Sequence, residues 1–210
     1  MVVHNAVTPE NCLAAEQAIW EFIKADPQDQ TTWYWGRQGH SIMVPLLHHR
    51  AFNANRKSLR LRKAFAQIWG RSDIWVNVDR GGFNPPELKN WPFPGPHLHW
   101  DSSLDLPMAF GVQGILYLTD TAADQGAFRC VPGFHHRIEE WLKSLPYGAD
   151  PREENLEALG AVPITGKAGD LVIWREELPH GSAPNRASRP RMVQYITAYP
   201  TQTDYNPVWK

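Results

Sequence analysis

His99 and Asp101 stand one residue apart, and His180 lies far downstream within Leu178-Pro179-His180-Gly181-Ser182. Two imidazoles and one carboxylate form the donor set that holds non-haem Fe(II) on one face, leaving the opposite positions open to substrate and oxygen. Residues i and i+2 of a strand point to the same side. An extended stretch from His97 to Ser103 would therefore present His99 and Asp101 to one interior and turn Trp100 away. With 9 His and 11 Asp in the chain, about 0.5 such pairs arise by chance, so context carries the reading. The pair directly follows a Pro-rich stretch, and His180 follows a clear strand and precedes a Gly-Ser turn.

The other histidines fit less well. His48-His49 and His135-His136 are adjacent pairs whose side chains diverge on any regular element, and they read as surface or cap residues. His97 shares the parity of His99 and Asp101, so a His-x-His site of the cupin kind, built on His97, His99 and His180, stands as the alternative. Its position right after Pro96 favours a supporting role. Arg191 opens the stretch Arg191-Met192-Val193-Gln194-Tyr195-Ile196-Thr197. A guanidinium at a strand start inside a barrel is costly unless a carboxylate ligand pairs with it, and its fork matches that group through two bonds. Ser182 can add a hydroxyl to the same anion, whereas Arg186 and Arg189 read as a solvated turn.

Stepping outward from these residues, 210 positions suffice for one well-buried core, and a single domain spanning 1–210 is expected. Lys and Arg (21) balance Asp and Glu (22), which gives no ground for a nucleic-acid partner or a cationic one. Two cysteines, Cys12 and Cys130, make neither a disulfide scaffold nor a thiolate metal site. The start lacks the charged and apolar regions of a secretory signal, and no apolar run could cross a bilayer, so the expectation is a cytoplasmic protein without membrane partners. Its 10 Trp and 18 Pro are unusual; the tryptophans are read mainly as core.

A helical part over about 8–70 precedes a β core over about 74–200. Thr8-Pro9-Glu10 starts a helix, with Cys12, Ala15, Ile19 and Phe22 as its inner stripe, and Asp26-Pro27 ends it. Trp33 to Arg37 reads as a short strand or loop. A second helix covers about Ser58 to Trp69, with Leu61, Phe65 and Ile68 inward and Gly70 as its stop. Period-two strands follow at Ile74–Val78, Met108–Leu118, Ala127–Val131, Asp170–Trp174 and Arg191–Tyr199. Gly81 to His97 carries five prolines and is expected to be a long loop, a lid over the metal site. Two short helices, Ile138–Ser144 and Arg152–Leu159, are expected in the insertion after Pro132. The fold class is mainly β with flanking helices, an α+β barrel or sandwich.

Taken together, His99-Trp100-Asp101, Gly126 to His135, Gly169 to Trp174, His180 to Asn185 and Arg191 are similar to the phytanoyl-CoA dioxygenase family of iron- and 2-oxoglutarate-dependent oxygenases. The resemblance runs over most of residues 8–200 in the right order. It implies a double-stranded β-helix (jelly-roll, cupin-like) core and Fe(II) on His99, Asp101 and His180. It also implies 2-oxoglutarate on Arg191 with Ser182, and O2 as co-reactant. The implied reaction is hydroxylation of a small molecule with release of succinate and CO2. Asn77 and Gln113, on neighbouring strands, are added as polar contacts to cosubstrate or substrate. Phe134 departs from the family, which commonly has a small residue there; Asp101 disfavours the halogenating variant, which lacks that carboxylate. Substrate identity and oligomeric state are not readable. The pocket is expected from the 81–97 loop and the insertion after Pro132, neither of which has a basic run for coenzyme A phosphates. A non-catalytic jelly-roll binding module is the third alternative.

Overall fold

The computed structural model describes residues 1–34 and 41–201. The strands are β1 (Val2–Val3), β2 (Met43–Val44), β3 (Ile74–Val76), β4 (Gly81–Asn84), β5 (Val112–Tyr117), β6 (Phe128–Cys130), β7 (Val162–Ile164), β8 (Leu171–Arg175), β9 (His180–Ser182), β10 (Arg191–Tyr195) and β11 (Ala198–Pro200). The helices are α1 (Pro9–Ile23), α2 (Arg50–Arg56), α3 (Leu59–Trp69) and α4 (Ile138–Ser144). Thr8 caps α1 by accepting from the Asn11 amide, with Pro9 in the first turn. Ser58 caps α3 and Gly70 ends it at φ 63°, a left-handed stop that glycine adopts without steric cost.

A six-stranded antiparallel sheet has the order β1-β8-β5-β10-β4-β2, and a three-stranded sheet, β7-β6-β9, faces it. Strand periodicity sorts the side chains. Val112 and Leu116 of β5, Leu171 and Ile173 of β8 and Met192 of β10 join a core with α1, α2 and α3. Their neighbours Ile115, Tyr117, Val172, Trp174 and Val193 point the other way and pack with Phe128 and Cys130 of the smaller sheet. The second face is the interior of the double-stranded β-helix. The helices therefore cover the outside of the large sheet and leave its inner face to the site. Leu61 and Phe65 of α3 are fully buried there, each contributing about 1.5–3 kcal/mol by the area removed from water.

Several expectations are corrected. Phe22 is exposed, and Ile23 takes the inward position at the end of α1. Ile68 is only partly buried. Gly81–Asn84 is not loop: it pairs with both β10 and β2, because the prolines begin only at Pro85 and leave four donors free for the ladder. Gly82 fits against Val193, whose side chain would lie 2.8 Å from an added Cβ. The stretch after His180 is a strand paired with β6 rather than a turn. The stretch read as Arg191–Tyr199 is two strands, β10 and β11. The second helix of the insertion is two 3-10 turns, Pro151–Glu153 and Leu156–Leu159. The sequence reading also passed over β1, α2 and β7. Trp33 closes a short 3-10 turn, while Trp35 to Arg37 lie outside the described residues. No helix among the described residues is long and apolar enough to cross a membrane.

Candidate metal centre

His99 is held by backbone pairing. Its amide donates to the His180 carbonyl at 2.9 Å, and the His180 amide returns the bond at 3.0 Å. This isolated bridge fixes the 97–103 segment to β9 although that segment is not itself a strand. Gly181 makes the approach possible: an added Cβ would meet the His97 carbonyl oxygen at 2.3 Å. The bridge brings His99, Asp101 and His180 together, with one ligating atom from each within 4.8 Å of the others. Trp100 turns away from them, but into the protein rather than to water, and its indole donates to the Glu177 carbonyl at 2.9 Å.

The hydrogen bonds settle which imidazole nitrogens face the cluster. Nδ1 of His99 donates to the His97 carbonyl at 2.7 Å, and Nδ1 of His180 donates to the Leu178 carbonyl at 3.0 Å. A carbonyl only accepts, so both neutral rings carry their hydrogen on Nδ1 and present the Nε2 lone pair inward. Those lone pairs lie 3.3 and 3.2 Å from the two oxygens of Asp101. Three acceptors facing one another repel unless a cation lies among them. The donor set therefore fits a divalent metal.

Burial opposes charge on His99, yet hydrogen bonds to Asp101 and to the His97 carbonyl raise its pKa above the ordinary value. Burial likewise opposes charge on Asp101, but hydrogen bonds from His180, His99 and Gln113 hold its carboxyl well below the usual range. His97 contributes its backbone oxygen only; its side chain is exposed and lies edge-on against Phe93. The cupin-like alternative, which needs His97 as a ligand, is thus not what the geometry assembles. His49 caps α2 by accepting from the Ala51 amide, and His48 is exposed. His135 and His136 do not diverge as expected: on a 3-10 turn their rings lie 3.8 Å apart, tilted at 41°, away from the cluster.

A cavity of about 370 Å³ opens beside the three ligands and reaches Arg191. Arg191 is 1% exposed. Its guanidinium donates to Ser182 Oγ at 3.0 Å and bonds the Tyr195 hydroxyl, while its Nε has no partner. Among the described residues it has no carboxylate within ion-pair distance. A buried cation left unpaired is costly, and one open to a cavity is a ready anchor for a carboxylate. Burial raises the Tyr195 hydroxyl pKa, so it stays a neutral donor beside the guanidinium.

Gln113 reaches the site through Asp101, to which its Nε2 donates at 2.7 Å. Asn77 does not line the cavity; its amide bonds the Thr197 carbonyl just past β3. The expected pocket walls also shift. The strands supply Ile115, Phe128, Trp174 and Tyr195, while the 81–97 loop contributes Pro96 and the insertion none of the lining. Met43, Asp79, Arg80, Tyr195 and Thr197 were all missed. Tyr195 alone had a visible signal: it stands four residues after Arg191 on one strand and so shares its face.

The comparisons agree with this geometry. The phytanoyl-CoA dioxygenase (PhyH) profile matches residues 1–193. The chain belongs to the phytanoyl-CoA dioxygenase family. A Dictyostelium discoideum protein whose name places it among the phytanoyl-CoA dioxygenases is 26% identical over 255 residues, covering 97% of this chain and 73% of that protein. An ectoine dioxygenase of Bordetella bronchiseptica is 27% identical over 170 residues, 70% of this chain. There the chain spans about half of the relative's length (53%). Two solved structures share the fold. The epimerase SnoN of nogalamycin biosynthesis, a non-haem α-ketoglutarate-dependent enzyme, superposes with TM-score 0.64 at 14% identity, covering 94% of this chain and 77% of SnoN. HygX of Streptomyces hygroscopicus, solved with nickel and 2-oxoglutarate, gives 0.62 at 15% identity over 96% of this chain and 82% of HygX. Family and fold together make the chain a 2-oxoglutarate-dependent dioxygenase by class, which removes the non-catalytic alternative.

Proposed function

We propose that this family member acts as one Fe(II)- and 2-oxoglutarate-dependent catalytic domain that hydroxylates a small-molecule substrate and releases succinate and CO2. The observation that carries the reading is an unpaired buried guanidinium, Arg191, sharing one cavity with a two-histidine, one-carboxylate cluster. 2-Oxoglutarate has the matching shape: a keto-acid end to chelate a cation and a distal carboxylate to meet a guanidinium.

His99, Asp101 and His180 would hold the metal, each imidazole oriented by its Nδ1–H bond to a backbone carbonyl. Arg191, Ser182 and Tyr195 would grip the distal carboxylate. A metal held there would supply redox chemistry for coupling O2 reduction to decarboxylation of 2-oxoglutarate. In balance, one oxygen atom enters succinate and the other enters a C–H bond of the substrate. Phe128 and Trp174, with ring centroids 4.3 Å apart, wall the cavity beside His180 and exclude water from that side. The cytoplasm remains the proposed compartment, in keeping with two buried, unpaired cysteines. A nucleic-acid or membrane partner has no role in the reading.

The test is succinate formation from 2-oxoglutarate with Fe(II) under air, followed by NMR, with a slow rate expected even before a substrate is found. Asp101→Ala should abolish it. Equal turnover in that variant would refute the assignment.

A further inference from the structure

Trp174 lies on β8 directly opposite Gln113 on β5, in the register of the large sheet. Its indole Nε1 donates to Gln113 Oε1 at 3.1 Å, and Gln113 Nε2 donates to Asp101 Oδ2 at 2.7 Å. An indole has one donor and no acceptor, so it can donate only to the oxygen end of the amide. The amide of Gln113 is thereby oriented without ambiguity, and its NH2 must face the carboxylate. The flipped amide would set Nε2 against an indole N–H and Oε1 against a carboxylate oxygen, two repulsive contacts in place of two bonds.

Once the Nε2 lone pairs of His99 and His180 are given to a metal, neither ring can donate to Asp101. Among the described residues, Gln113 then is the side-chain donor left to that carboxylate. We propose that Trp174 and Gln113 form a fixed donor relay that commits one oxygen of Asp101 to an amide N–H, so that the carboxylate binds metal through its other oxygen and a coordination position stays open. This rests on the metal-centre reading above. Gln113 is thus a positioning residue acting on a ligand, a role beyond the polar contact to cosubstrate or substrate that the sequence suggests. Trp174 acts one bond further out. The indole ring itself packs beside Phe128 and His180, so Trp174→Phe keeps most of the wall and removes only the donor.

The experiment is a double-mutant cycle on the full chain, with Ni(II) affinity measured by calorimetry in the absence of oxygen and cosubstrate. Gln113→Leu should weaken Ni(II) binding by about 10–100-fold, the usual range for an outer partner of a metal ligand. Trp174→Phe should weaken it by a smaller factor. The double variant should bind as Gln113→Leu does, because the indole acts only through the amide. A merely structural role for either residue predicts additive losses instead, and additivity would overturn the relay. So would Gln113→Leu binding within twofold of the parent. Should the parent itself take up no Ni(II), the metal centre falls first, which separates the two failures. A second measurement needs no metal and tolerates a poorly binding variant: the 15N-indole resonance of Trp174 should shift in Gln113→Leu. An unchanged resonance would mean that the bond does not exist in solution.

Discussion

The two faces of the large sheet are built from the same strands and yet obey different rules. Toward the helices, β5, β8 and β10 present Val112, Leu116, Leu171, Ile173 and Met192, apolar and closely covered. Toward the barrel interior the same strands present Gln113 and Arg191 among Ile115, Trp174 and Val193. The outer face is otherwise apolar and buries one polar pair, Gln194 bonded to Asn55 and to the Phe52 carbonyl, with Asn55 Oδ1 left unpartnered. The inner face carries a guanidinium without a counter-ion, a buried Nε without a partner and three acceptors crowded together. Such violations persist only where the rest of the fold supplies the stability, and the α-helical layer supplies it here. One face holds the fold together, and the other is kept incomplete for a ligand.

The sharpest way to separate the faces is to damage the stabilising one. Phe65→Ala, a fully buried truncation on α3, should lower unfolding free energy by about 3–5 kcal/mol. Urea titration reads that loss, while Ni(II) affinity of the folded fraction stays near the parent value. Lost affinity at unchanged stability would erase the distinction.

The complementary change damages the inner face. Arg191→Met should weaken 2-oxoglutarate binding by about 2–5 kcal/mol, since it deletes the charge that meets the distal carboxylate. It should leave the ligand-free protein as stable as the parent or more so, because an unpaired buried cation is replaced by an apolar chain. Calorimetric binding and thermal melts of one preparation test both halves. A large drop in melting temperature without ligand would mean that Arg191 serves the fold.

The smallest effect lies outside both faces. Asp73, on the rim, has its carboxyl pKa lowered to about 2, chiefly by the hydrogen bond from Arg71 and then by Thr201. Its folded value lies below the ordinary value of about 3.9. The stability it adds is therefore fully present above about pH 4 and lost as pH falls toward 2. The site is exposed and screened, so the difference between parent and Asp73→Asn should be small near neutrality and shrink away as pH falls through about 2. A gap that widens on acidification would contradict the sign.

How much of this was legible beforehand differs by element. The caps of α1 and α3 were readable because Thr8, Ser58 and Gly70 act on backbone groups within four residues of themselves. β4 was not, because the prolines that follow Asn84 dominated the local pattern, whereas its pairing partner β10 is over a hundred positions downstream. His99, Asp101 and His180 could be named from residue type and i, i+2 spacing. Gln113 could be suspected from parity, but not its attachment to Asp101. Asp79, Arg80 and Met43 left no mark, since lining a cavity depends on where loops end and not on any local period.

What the chain determined on its own is the chemistry available: two imidazoles, a carboxylate and a guanidinium, with strand alternation deciding which neighbours share a face with them. These are local properties, set by side-chain type and by backbone geometry over a few bonds. Only the tertiary structure decided that His99 meets His180 across a backbone bridge, that Gln113 serves the carboxylate and that Arg191 keeps an unpartnered Nε and no counter-ion among the described residues. Each of those depends on register between strands distant in sequence, and register is fixed by the packing of whole faces rather than by any one segment.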